Sequence, residues 1–159
     1  MYGTNNSSSY ELTPPVIESL DGYLEQVLEV HRSSPLKHKR ALETIAGYFK
    51  KEFCYDHLQY DRHETDERCV GILFCETAMD LVKNIDHHPN RILGGACFWK
   101  EENGQGYFLD WVWFHPFARN RGYLRQTWPK FTQNFGAFRV TSPLSVHMEK
   151  FLEKHHLIP

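Results

Sequence analysis

Apolar and polar positions along the chain change period several times, and each change marks an element. In "VIESLDGYLEQVLEVH" the residues Leu20, Leu24, Val27 and Leu28 recur at helical spacing after Thr13-Pro14-Pro15, which predicts a first amphipathic helix. A second is predicted over "HKRALETIAGYFKKEF", where Leu42, Ile45, Phe49 and Phe53 form one stripe and Ser33 and Ser34 precede it as caps. Lys37, Lys39, Arg40, Lys50 and Lys51 make its solvated face. "RCVGILFC" is short, apolar and rich in β-formers and predicts a strand, whereas "ETAMDLVKNI" reads as a short helix or an insertion that ends at His87 to Asn90.

From Arg91 onward the pattern is sharper. "RILGGACFW" and "YFLDWVWF" are strand-like runs joined by "KEENGQG", whose Asn-Gly and second glycine favour a tight antiparallel reversal. The second run leads into "HPFARNRGYLRQTWPKFTQNF", where Leu124, Trp128 and Phe131 share a helical face. After Gly136 comes "FRV", a short strand, and then "SPLSVHMEKFLEKHHL", a last helix with Met148, Phe151 and Leu152 on its apolar side. The C-terminal half therefore reads strand, strand, helix, strand, helix, and the fold class is α/β.

The bulk numbers fit one core. At 159 residues the chain has the size of a single domain, with residues 1–10 polar and read as disordered, and residues 16–90 holding the N-terminal helices, a first strand and the insertion. A formal charge of −2 argues against a nucleic-acid-binding protein, and no apolar run approaches the ~20 residues that span a bilayer. A protein without nucleic-acid or membrane partners, located in the cytoplasm, is expected. Cys54, Cys69, Cys75 and Cys97 lack the tight pairing of a zinc ribbon, and most of them read as reduced, buried thiols. Cys54 and His57 have ligand-like spacing, with His63, His87 and His88 as further donors, but single Cys-x-x-His pairs arise easily in a histidine-rich chain, so no metal site is expected.

The chemistry concentrates in "HPFARNRGYLRQTW". A strand, an arginine-rich glycine turn and a helix start can hold a phosphate, because the first helical N–H groups lack intrahelical partners and carry the positive end of the dipole. Gly122 lets that backbone come close. The stretch has neither the Walker spacing nor the three-glycine dinucleotide fingerprint, which removes the nucleoside triphosphate and NAD readings.

Arg119-Asn120-Arg121-Gly122-Tyr123-Leu124 resembles the acyl-CoA-binding motif of the GCN5-related N-acetyltransferases, Gln/Arg-x-x-Gly-x-Gly/Ala, whose loop amides hold the CoA pyrophosphate. The last helix, from Ser145 to Leu157, is similar in spacing to the family's closing pattern, with Phe151, Glu153 and Lys154 in place. The resemblance covers about residues 91–157. It implies a mixed, mostly antiparallel sheet flanked by helices, acetyl-CoA as co-substrate, and direct transfer of acetyl to an acceptor amine on a small molecule or a protein. It also implies that residues 91–157 bind the cofactor, through Trp113 and Phe114 on the strand and Arg119, Asn120, Arg121, Gly122, Tyr123 and Leu124 in the turn.

The departures shape the expected chemistry. Leu124 stands where the motif has glycine or alanine, Ser145 replaces an asparagine, and Leu152 replaces the tyrosine that serves as general acid in many members. The sequence ends after the last helix, so either the fold is abbreviated or another element, such as one from a second subunit of a homodimer, covers the strand at Phe138 to Val140. Asp110 and His115 are the candidate bases, and Ser142 and Ser145 the candidate proton relays; Asp110 and Ser145 are taken as the catalytic pair. Two alternatives stand beside this reading. One is a catalytically degenerate domain of the same fold that binds CoA or a protein partner; the other is a thiol hydrolase using Cys97 or Cys75, for which no local signature exists.

Overall fold

The computed structural model describes residues 12–18, 27–142 and 144–157. They form a six-stranded sheet of order β2-β3-β4-β5-β6, with β1 (Val16–Ile17) paired to β4. The remaining strands are β2 (Val27–Val30), β3 (Cys69–Thr77), β4 (Asn90–Lys100), β5 (Tyr107–Phe114) and β6 (Arg139–Val140). Every pairing is antiparallel except that of β5 with β6. Helix α1 (Leu36–Phe53) lies between β2 and β3 in sequence, α2 (Tyr123–Phe135) between β5 and β6, and α3 (Val146–Lys154) follows β6.

Two cores sit on opposite faces of this sheet. Ala41, Leu42, Ile45, Ala46 and Phe49 of α1 pack against one face, with Leu73, Ile92, Cys97, Trp111 and Trp113. Trp128, Phe131 and Phe135 of α2 and Leu152 of α3 pack against the other, with Ile72, Phe74, Phe98 and Leu109. Of the stripes read from the sequence, Leu42, Ile45 and Phe49 on α1, Trp128 and Phe131 on α2 and Leu152 on α3 are buried. Helix α1 lies close to its face because Gly71 and Gly95 offer a flat seat: a Cβ added to either would come within 2.3 or 2.8 Å of a Leu42 methyl.

The first predicted helix is absent where the chain is described. Val16–Ile17 and Val27–Val30 are strands, while Leu20 and Leu24 lie outside the described residues, as does the segment 1–10 read as disordered. The helical spacing ran across residues that pair instead: β2 is matched to β3 from Val27↔Phe74 to Val30↔Gly71, and valine-rich backbone suits a ladder better than a helix. The expected serine cap is replaced too. Pro35 occupies the helix start without a side-chain cap, and the Ser34 hydroxyl accepts from His31 N–H at 2.8 Å to close the preceding turn. "ETAMDLVKNI" contributes the end of β3 and only a 3-10 turn, Met79–Leu81.

One irregularity decides what β5 presents. Trp111 pairs with Cys97 and Leu109 with Phe98, so Asp110 is an extra residue, a β-bulge, between two consecutive partners. As a result Leu109 faces α2 and α3 while Trp111 and Trp113, two and four residues on, face α1. In an unbroken strand all three would share a face.

Candidate functional site

Strand β6 is two residues long and pairs only with Phe108 and Leu109, so among the described residues β5 has no outer strand partner from Asp110 to Phe114. Where the two strands part, a cleft of about 90 Å³ opens. The end of α1 gives it Phe49 and Phe53, with Tyr55 just beyond; β5 gives Asp110, Trp111 and Val112; the chain after β6 and the start of α3 give Thr141, Leu144, Ser145 and Met148. The two residues taken as catalytic thus line one cleft.

Asp110 is half-buried there, and burial pushes its carboxyl above the ordinary aspartate range, against an opposing pull from His57. A carboxylate in that state is a better proton acceptor than a solvated one. Ser145 is the N-cap of α3: its Oγ accepts from Met148 N–H at 3.1 Å, which leaves the hydroxyl proton free to donate. Cap and donor are compatible roles.

The other expected residues gather at the far end of β5. His115 donates its amide to the Leu93 carbonyl at 2.8 Å, and Phe114 is level with Gly94, so ladder alternation turns the Trp113 N–H toward β4 and the Val112 and Phe114 N–H groups toward the open edge. Of the two strand residues expected to bind the cofactor, Phe114 turns its N–H to the edge and Trp113 does not. Beyond it, Asn120 and Gly122 both hold positive φ, 61° and 83°, and curl the backbone into the start of α2. No side chain caps that helix start. Tyr123 stacks over Phe114 with ring centroids 6.3 Å apart, and Leu124 packs on the α2 side of the core.

The two arginines of the turn part company. Arg119 is held by Glu52, whose carboxylate takes both ends of its guanidinium at 2.6 and 3.1 Å, and by the Phe114 carbonyl at 2.8 Å. It also lies over the Trp113 ring, 5.4 Å from the centroid, while Trp113 Nε1–H donates to the same Glu52 at 2.7 Å. Its side chain therefore ties β5 and the turn to α1. Arg121 is exposed and makes no ion pair among the described residues.

His115, the other candidate base, is locked in place: Nε2 meets the Leu12 carbonyl and Nδ1 accepts from Phe117 N–H at 3.3 Å. Ser142 does not line the cleft. Leu152 is 3 % exposed in the α2–α3 core, where its side chain packs. Cys75 and Cys97 are buried; burial raises the Cys75 thiol to about 12 and Cys97 well above the ordinary thiol range, which disfavours the thiolate a hydrolase needs. Among the described residues no three His, Cys, Asp or Glu side chains are grouped as metal ligands, and no helix is long and apolar enough to cross a membrane.

Sequence reasoning missed Glu52 and the aromatic wall. Glu52 sits on a helix whose charged face reads as solvated, and its partner is 67 residues away. Phe53 was placed on the buried stripe, yet it is 40 % exposed and forms the cleft rim with Tyr55. No protein-family model matches the chain, and no curated protein matches it either.

Proposed function

We propose that the protein transfers an acetyl group from acetyl-CoA directly to an amine, as a member of the GCN5-related N-acetyltransferases would. The observation that carries this reading is the parting of β5 from β6: one strand presents a half-buried carboxylate beside a cleft, outward N–H groups at Val112 and Phe114, and an uncapped helix start just past its end. These are the parts that a thioester with an anionic tail requires.

The residues divide the work. Asp110 takes the proton from the acceptor nitrogen, so that the lone pair can attack the thioester carbon. The Val112 N–H, at the open edge and beside the cleft, stabilises the negative charge that grows on the carbonyl oxygen as the new C–N bond forms and the C–S bond breaks. The departing thiolate gains its proton from Ser145 Oγ–H, and the proton that Asp110 took from the amine returns through solvent to restore the serine hydroxyl and the carboxylate. The Asn120–Gly122 turn and the first amides of α2 hold the pyrophosphate, with Arg121 as the available cation.

Burial of Leu152 favours a second reading, a domain of this fold that binds CoA without transfer. Thermal unfolding with and without acetyl-CoA, followed by thiol release over a panel of amines, separates them. Stabilisation with turnover supports transfer; stabilisation without turnover supports the binding domain; no stabilisation at millimolar acetyl-CoA rejects both.

A further inference from the structure

Among the described residues that line the cleft, Asp110 is the one charged side chain; the rest present hydrocarbon, aromatic rings, a thioether and hydroxyls. The wall has an order. Phe49 and Tyr55 stack 5.0 Å apart with planes at 16°, and Phe49 contacts Phe53 at 5.3 Å and Trp111 at 5.2 Å, so the rings form one continuous surface from the core to the rim. Leu144 and Met148 face it across the cleft. Phe53 and Tyr55 are 40 and 47 % exposed, an unusual state for two neighbouring aromatic residues and one that gives an entering apolar group a surface to slide along.

This lining has consequences for the acceptor. A polyamine or an aminoglycoside carries several ammonium groups, each of which would need a carboxylate, and the described residues lining the cleft supply one. A peptide lysine brings a polar backbone, for which the rim of Phe53 and Tyr55 supplies little beyond a single phenol hydroxyl. A lone ammonium on a small hydrocarbon fits on both counts: the cation meets Asp110 and the aromatic faces, and the body buries apolar surface. A volume of about 90 Å³ matches a body the size of a short alkyl chain or a single ring.

We infer that the acceptor site selects a primary amine borne on a small apolar body, with Asp110 as its ammonium anchor and Phe53 and Tyr55 as its apolar rim. The inference rests on the transfer reading for its chemistry, but the selectivity can be measured by binding alone.

Calorimetric titration of the full-length protein with 2-phenylethylamine, 2-phenylethanol and spermidine tests it. The expected result is that 2-phenylethylamine binds at least ten-fold more tightly than the other two, that Asp110→Asn removes most of that preference over the alcohol, and that Phe53→Ala, at the cleft rim, weakens the amine several-fold in a protein that still unfolds cooperatively. Spermidine binding as tightly as the aromatic amine, or an affinity unaffected by Asp110→Asn, overturns the inference. Thiol release from acetyl-CoA with the same compounds keeps the two readings apart. Selective binding without turnover upholds the amine site and rejects transfer, whereas turnover of spermidine with no binding of 2-phenylethylamine rejects the amine site and leaves transfer standing.

Discussion

Glu52 and Arg119, 67 residues apart in sequence, meet as a two-pronged ion pair at 2.6 and 3.1 Å, with Trp113 Nε1–H as a third contact on the same carboxylate. Each side chain keeps about a third of its surface in water, 33 and 35 %, so solvent screens the pair in part. Burial alone would raise the Glu52 carboxyl; the hydrogen bonds from Arg119 and Trp113 outweigh it and hold the group below its ordinary 4.5. Glu52→Gln is therefore expected to cost ~1–2 kcal/mol at neutral pH, after allowing for that screening. A depressed carboxylate stabilises the fold above its unfolded pKa and ceases to do so as pH falls through the folded one. The Tm gap between wild type and Glu52→Gln should be full at pH 6–7 and narrow below about 4.5, which melting curves across that range will show.

Asp110 titrates in the opposite sense. Burial raises its carboxyl above the ordinary 3.8, so the folded state binds the proton more tightly than the unfolded chain, and the ionised form is a burden on stability that grows as pH rises through the folded value. Asp110→Asn should leave Tm at pH 7.5 unchanged or higher, with no difference below about pH 3.8. Transfer should slow by ~10² or more, and the acid limb of the kcat/KM profile should disappear. A variant with full activity and an unaltered profile removes Asp110 from the chemistry.

Arg119 and Arg121 have the same side chain and different duties. Arg121→Ala should weaken acetyl-CoA binding by ~1–2 kcal/mol and leave Tm without ligand in place. Arg119→Ala should lower that Tm, since it strands Glu52 beside the Trp113 indole. Gly122→Val should abolish the acetyl-CoA shift through the backbone: its φ of 83° is closed to a β-branched residue, although an added Cβ would meet nothing nearer than Gln126 Nε2 at 3.8 Å.

Ser145 can be dissected by two substitutions. Alanine loses both cap and hydroxyl, costing ~1 kcal/mol of stability, whereas glycine keeps most of the capping free energy, and neither can donate a proton. If the hydroxyl serves the thiolate, both variants should lose turnover alike, by no more than ~10². Loss in the alanine variant alone would mark Ser145 as a cap.

Long, strongly periodic segments were legible in the sequence because local pattern and tertiary environment agree there. Leu42, Ile45 and Phe49 on α1, and Trp128 and Phe131 on α2, are spaced for the faces they bury. The N-terminal segment misled because Val27 and Leu28 suit either a helix or a strand, and the choice lies with β3, some 40 residues on. The site divided similarly. Asn120 and Gly122 carry their left-handed turn in their own sequence, but the engagement of Arg119 depends on Glu52, and the cleft depends on a bulge that no local pattern around Asp110 announces.

That bulge makes Asp110 dispensable to the sheet. With this residue deleted, Leu109 and Trp111 become neighbours in an unbroken ladder, still opposite Phe98 and Cys97, still facing α2 and α1 respectively. Removing one residue from the middle of a central strand ordinarily turns every later side chain to the wrong face. Here the shortened chain should fold with both cores intact and fail only at the cleft, a separation of scaffold from chemistry that a single-codon deletion can expose.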